Sequence, residues 1–412
     1  MVPVPEKRIA DFEQLGFGMF VHWGLYSQLG MGEWTYAVHN RKMEDYQKLK
    51  DTFTAEDFHA EELVLTAKNA GCTYIVLTTR HHEGFSLYDT KGLCDFDAPH
   101  SAAGRDLIRE FVDACNKHGI IPFFYHTTLD WYQKSFDENF DEYLEYLRKS
   151  VEVLCTNYGK IGGLWFDGNW SKKDADWEET ALYGTIRRHQ PDAIIVNNTG
   201  LSARGEAGHP EIDSVTFEQG RPCALDKDGW PKYLAAEMCY TINDHWGIGE
   251  LDLNYKSPGQ LIETLCHCRR VGSNLLLNIG PTAQGGIEPF QRELMRLVGK
   301  WMHLNAEAIY NGRPHPATCK NEKNFVLRGE DYLYFFIHGL GRTGNENVTV
   351  NEGEENDFTF RGVTECVESV EWLDNGEALT FAQGNGTFSL GATGYPYGTS
   401  TCVRVARAKI KK

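Results

Sequence analysis

From residue 17 to about residue 310 the chain repeats one pattern. A short, almost wholly apolar run is followed by a longer stretch whose apolar residues recur every three or four positions. FGMFVHW (17–23), TYIVLTT (73–79), IIPFFYH (120–126), IGGLWFD (161–167), AIIVNN (193–198), SVTFE (214–218), LAAEMC (234–239) and NLLLNIG (274–280) read as strands. AEELVLTAKNA, DLIREFVDACNKHG, FDEYLEYLRKSVEVLCTNYG and PGQLIETLCHCRRVG read as helices between them. A strand that is apolar on both faces of its pleat needs cover on both, and helices flanking a parallel sheet provide it. Eight such strands predict an α/β fold, a (β/α)8 TIM-like barrel rather than an open sheet, with the sixth and seventh runs the weakest.

After Trp301 the texture changes. NGRPHP (311–316) reads as a linker, and beyond it NFVLRG, YLYFFIHG, NVTV, FTFRG, VESVEWL, ALTFAQG, GTFSLG and CVRVARA alternate between Gly and Asn turns. That pattern predicts a C-terminal antiparallel β-sandwich. The expected division of the 412 residues is therefore a barrel over 1–312 and a sandwich over 316–412.

Charge narrows the partners. Lys and Arg number 41 against 58 Asp and Glu, a net charge of −17 that repels nucleic acid and anionic membrane and suits a neutral substrate. No run approaches the roughly 18 apolar residues of a membrane span, and MVPVPEKRIADF has no apolar segment of the secretory kind. Eleven cysteines, with no CxxC pair, suggest a reducing compartment, so the expected location is cytoplasmic. Cys266 and Cys268 flank His267, but no second ligand pair stands near them to make a zinc site.

In a barrel of this type the loops after the C-terminal strand ends share one mouth. The residues at those ends are His22-Trp23, His81-His82, Tyr125-His126, Trp165-Phe166-Asp167, Glu218 and Glu237. Taken singly each has an ordinary reading: Asp167 could cap a helix, Trp165 could be core, and either Glu could be a structural carboxylate. Six polar or aromatic strand ends around one mouth are more than stability requires. Adjacent histidines on a strand point to opposite faces, so His81 and His82 make a poor pair of metal ligands and a better set of hydrogen-bonding groups. Glu33-Trp34 in MGEWTY pairs a carboxylate with an indole, which suits a sugar as well as a surface Glu beside a buried Trp. No Walker-type GK[ST] occurs, and GIGELD and GLGRTGN are not placed between a strand and a helix, so nucleotide binding has little support.

FGMFVHWGLYS, GEWTY, YIVLTTRHHEGFSLYDT, GRDLIREFVDACNKHGI, LWFDG and GSNLLLNIGP, in this order over roughly residues 10–310, resemble the α-L-fucosidases of glycoside hydrolase family 29. The resemblance implies a retaining exo-glycosidase that removes terminal α-L-fucose, with no metal or other cofactor and a fucosylated oligosaccharide as partner. It puts fucose-binding roles on His22, Glu33, Trp34, His81, His82, Tyr125 and Trp165, and the nucleophile on Asp167. His126 departs from the two tyrosines that many members carry there, and is retained as a candidate contact.

Retaining hydrolysis needs two carboxyls about 5–5.5 Å apart, one attacking C1 and one protonating the leaving oxygen. The second is expected to be Glu218 of SVTFEQG, with Glu237 of AAEMCYT as the alternative. A fucose-binding protein that lost its chemistry would not need these carboxylates, and a metal-dependent hydrolase using His81, His82 and Asp167 is the weakest reading. By the same resemblance, His126, Asp130 and Trp131 lean the aglycone preference toward α1,3/1,4-linked fucose.

Overall fold

The computed structural model describes residues 1–198, 205, 208–342 and 358–412. Eight parallel strands close into a barrel: β1 (Phe17–Val21), β2 (Tyr74–Arg80), β3 (Ile121–Thr127), β4 (Gly163–Asp167), β5 (Ile194–Asn198), β6 (Ser214–Glu218), β7 (Ala235–Thr241) and β8 (Asn274–Ile279). Each coincides with one of the apolar runs. The ring closes where β1 pairs with β8, Phe17 opposite Leu275 and Val21 opposite Ile279.

Helices Ala60–Ala70, Leu107–His118, Phe140–Asn157 and Glu179–His189 follow the first four strands. Their apolar stripes face the barrel, as with Leu107, Ile108, Phe111, Val112 and Cys115 of the second. Among the described residues no helix follows β5 or β6, and the sequence there has no repeating stripe. The pattern resumes with helix Pro258–Arg270, started by a reciprocal Ser257–Gln260 capping box with Pro at its first position. An N-terminal helix, Lys7–Leu15, closes the N-terminal end of the barrel. Its Phe12 ring lies 5.8 Å from both Tyr74 and Phe123, and its Phe12 carbonyl accepts from Asn274 Nδ2 at 2.8 Å.

The chain groups into two compact units, Met1–Lys256 with Asn274–Arg296, and Ser257–Ser273 with Leu297–Lys412. The second unit holds two antiparallel sheets. One runs Thr318–Cys319, Thr359–Arg361, Thr387–Gly391, Thr380–Gly384; the other runs Val367–Trp372, Val403–Ile410, Tyr332–His338, Phe325–Arg328, Arg313–Pro314. Phe335 of the second sheet packs on Phe360 and Phe388 of the first at 4.9 and 4.6 Å, so the two inner faces form one apolar core. Arg313–Pro314, read as linker, is an edge strand, a position where proline costs no ladder hydrogen bond. The expected strand NVTV (347–350) lies outside the described residues.

Candidate active site

Inside the barrel, side chains alternate between lumen and helix layer along each strand. Near the C-terminal ends this alternation turns Tyr125, Trp165 and Asp167 inward. With His22, His81 and Trp34 they line a cavity of about 60 Å³ that also takes in Glu218.

Asp167 ends β4, and its side chain is 15 % exposed. Its Oδ1 accepts from Trp170 Nε1 at 2.9 Å, and Oδ2 accepts from the Tyr125 hydroxyl at 3.2 Å with His82 Nε2 at 3.4 Å. Burial alone would push this carboxyl up. The contacts with His82, Trp170 and Tyr125 outweigh it and hold the group below the usual Asp value, so it is an anion at neutral pH. Glu218 ends β6, and its Oε2 accepts from Asn198 Nδ2 at 2.5 Å. Asn198 stands at the end of β5, level with Asp167 in the ladder. Consecutive strands thus bring the two carboxyl groups to one mouth.

The histidines are anchored from behind. Asn278 Nδ2 donates to the Trp246 carbonyl at 2.7 Å, which turns its Oδ1 toward His22 Nδ1, also at 2.7 Å. Burial lowers His22 to about 3, so the ring is neutral. A neutral ring facing an amide oxygen donates through Nδ1, which leaves Nε2 as an acceptor. His82 Nδ1 meets the Thr127 hydroxyl at 2.7 Å. His81 stacks on Tyr125 with ring centroids 5.5 Å apart and planes 13° apart, and burial keeps it neutral too. Trp34 packs edge-on against His82 at 5.4 Å and beside Trp131 and Trp170 at 5.2 and 5.7 Å.

Four of the expected site residues do not line the cavity: His82 stands against Asp167, and His126, Glu33 and Glu237 stand elsewhere. His126 follows Tyr125 on β3 and so turns outward. It is fully buried, with Nδ1 2.9 Å from Thr79 Oγ1 and Nε2 2.9 Å from Ser150 Oγ of helix Phe140–Asn157. Glu33 does not line the cavity; its Oε2 accepts the N–H groups of Trp246 and Gly247 at 3.1 and 2.8 Å. Glu237 lies inside the barrel, 1 % exposed, where one oxygen accepts from Trp165 Nε1 at 3.0 Å and the other pairs with the Tyr74 hydroxyl. Burial raises it to about 7, although both bonds favour its anion.

Against this geometry, the family model for α-L-fucosidase matches residues 5–307. The chain belongs to the α-L-fucosidase family. Human tissue α-L-fucosidase is 30 % identical over 364 residues, covering 80 % of this chain and 75 % of that protein. The rat enzyme is 29 % identical, covering 76 % and 72 %. Among solved structures, α-L-fucosidase isoenzyme 1 from Paenibacillus thiaminolyticus superposes with a TM-score of 0.85 at 29 % identity, covering 98 % of this chain and 99 % of that one. A GH29 α-L-fucosidase from Bacteroides thetaiotaomicron shares the fold with a TM-score of 0.82 at 23 % identity, covering 100 % and 96 %. By family and by curated relatives the chain is thus an α-L-fucosidase.

Five residues that line the fucosidase cavity escape the sequence reading: Phe20, Trp170, Asn198, Cys239 and Trp246. Some left a signal. Asn198 closes the fifth apolar run as Asp167 closes the fourth, and Trp170 lies three residues past Asp167 in a Gly-Asn-Trp turn. Trp246 had none, because contacts distant in sequence, among them those of Glu33 and Asn278, hold the loop after β7 over the mouth.

Proposed function

We propose that the protein hydrolyses terminal α-L-fucose from oligosaccharides or glycoconjugates by two displacements at C1. Asp167 attacks C1 while Glu218 gives a proton to the leaving oxygen, forming a covalent fucosyl-enzyme. Glu218 then takes a proton from water, which attacks C1 and restores the α configuration. His22, His81, His82, Trp34, Tyr125 and Trp165 hold the sugar. Phe20 and Cys239 offer an apolar wall suited to the methyl group that distinguishes fucose from hydroxymethyl sugars.

The observation that carries this reading is the anionic Asp167, fixed by Trp170 and Tyr125, in the same cavity as Glu218. One structural neighbour, a GH29 α-L-fucosidase from Bacteroides thetaiotaomicron with a TM-score of 0.80 at 22 % identity, was solved as a covalent intermediate trapped with 2-fluoro-fucosyl fluoride. Glu237 serves in our reading as the anchor of Trp165 rather than as the acid. The test is hydrolysis of an aryl α-L-fucoside followed by proton NMR of the nascent sugar. The α anomer is expected first; initial β-fucose would mean inversion and end the two-step scheme.

For linkage we favour α1,3/1,4-linked fucose. Support comes from Trp131 beside Trp34 and no longer from the outward-facing His126 or from Asp130, which is buried beside Arg80. A panel of defined fucosylated oligosaccharides tests it, with faster cleavage of α1,2 or α1,6 linkages as the opposing result. We read the compartment as cytoplasmic, on eleven cysteines none of which is in a disulfide. Among the described residues no helix is long and apolar enough to cross a membrane.

A further inference from the structure

The turn after β2 carries a carboxyl that the two displacements at C1 do not use. Residues His81 to Gly84 form a tight turn closed by the Gly84 N–H donating to the His81 carbonyl at 3.0 Å. The turn folds Glu83 back against His81, with Oε2 3.7 Å from His81 Nδ1. Glu83 is 1 % exposed. Apart from contact with its own N–H, neither of its oxygens has a hydrogen-bond partner, and His81 Nδ1 has none either.

The surroundings are shaped to this carboxyl. A Cβ on Gly24 would stand 2.9 Å from Glu83 Oε1, so the chain after β1 comes close only because that residue is glycine. Gly84, at φ +88°, would bring a Cβ within 2.5 Å of Asp130 Oδ1. The charged groups around Glu83 are Arg80 and Asp130, 3.6 Å apart, and a charge on Glu83 would disfavour ionisation of the nearby Tyr26 and Tyr46.

A buried carboxyl and a buried imidazole, both unpartnered and 3.7 Å apart, complete a pattern set by the other two histidines. His22 is held at Nδ1 by Asn278, and His82 at Nδ1 by Thr127. We propose that Glu83 is a positioning residue for the fucose site, closing from 3.7 Å to accept a hydrogen bond from the Nδ1–H of His81, so that Nε2 is presented to one sugar hydroxyl as an acceptor. The inference rests on the reading that this cavity binds fucose.

Burial raises the Glu83 carboxyl to about 8, so at neutral pH it is an uncharged acid whose carbonyl oxygen can accept from an N–H. An uncharged acceptor orients His81 without making it a cation, and burial already favours the neutral ring. The Glu83–His81 pair therefore fixes a tautomer and carries no proton in the reaction.

The test is a residue-by-hydroxyl cycle. Inhibition by L-fucose and by its 2-, 3- and 4-deoxy analogues is measured for wild type, Glu83→Gln and Glu83→Leu, alongside kcat and KM for an aryl fucoside. Leu has no acceptor, so Glu83→Leu should weaken fucose binding about tenfold with a much smaller change in kcat. That penalty should vanish for the one deoxy analogue lacking the hydroxyl His81 binds. Glu83→Gln keeps a carbonyl acceptor and should restore affinity to within about threefold. A penalty equal for all three analogues, or none, would overturn the proposal. Should Glu83→Leu not fold, the nitrogen chemical shifts of His81 in the wild-type protein decide it without any substitution. A neutral ring protonated at Nδ1 is expected, and protonation at Nε2 overturns the assignment. Wild-type protein that shows this tautomer yet does not bind fucose would strike instead at the reading of the cavity.

Discussion

Asp167 is held between two opposing influences: burial disfavours its charge, and donors from three side chains restore it. Substituting Asn keeps the shape and removes the nucleophile, so Asp167→Asn should lose at least about 10³-fold in kcat with its melting temperature little changed. A variant retaining a tenth of wild-type turnover would return Asp167 to the role of a cap. Glu218 is separated from Asp167 by its leaving-group dependence. Glu218→Ala should slow a natural oligosaccharide far more than an activated aryl fucoside, because a good leaving group needs little protonation. Added azide should speed the aryl reaction and give α-fucosyl azide. The same behaviour from Glu237→Ala, and not from Glu218→Ala, would exchange their roles.

At the scale of elements, the strands were legible and the directions of their side chains less so. Apolar runs bounded by turn residues marked all eight barrel strands because burial on both faces demands it. Period two then separates Tyr125 from His126, and applying it to the third strand would have turned His126 away from the mouth. Glu33 shows a different limit. Its partners, the Trp246 and Gly247 N–H groups, lie more than two hundred residues away, and no local pattern encodes that contact. The helix pattern also failed after the fifth and sixth strands, where among the described residues the chain returns without a helix. The loop after β7 therefore makes its own prediction. Glu33→Ala leaves two N–H groups without their acceptor, which should cost about 1–3 kcal/mol of stability and raise KM as Trp246 loosens over the pocket. Glu33→Gln, which keeps an acceptor oxygen, should recover most of both. Thermal melting and KM measured on the pair check it, and an unchanged KM in Glu33→Ala would make the contact purely structural.

For the whole molecule, the buried acid inside the barrel links stability to pH. Glu237 is raised to about 7, so between the unfolded value near 4.5 and about 7 the folded state binds more protons than the unfolded one. Its contribution is fully present below about pH 4.5 and declines as pH rises toward 7, by on the order of 3 kcal/mol. Glu237→Gln mimics the protonated form, donating to Tyr74 and accepting from Trp165. The stability of wild type relative to this variant should therefore fall from pH 4.5 to 7 and level off above it; a constant difference would mean that Glu237 titrates normally. Among the described residues no group of three or more His, Cys, Asp or Glu is arranged to hold a metal ion. Hydrolysis of an aryl fucoside should accordingly survive dialysis against a chelator, and restoration of a lost rate by a divalent ion would contradict that. The most direct test of the two-step mechanism is to inactivate the protein with 2-fluoro-fucosyl fluoride and map the labelled peptide by mass spectrometry. One 2-fluoro-fucosyl group is expected, on the carboxylate of Asp167 within GGLWFDGNW; a label on Glu218, on Glu237 or on no residue at all would contradict it.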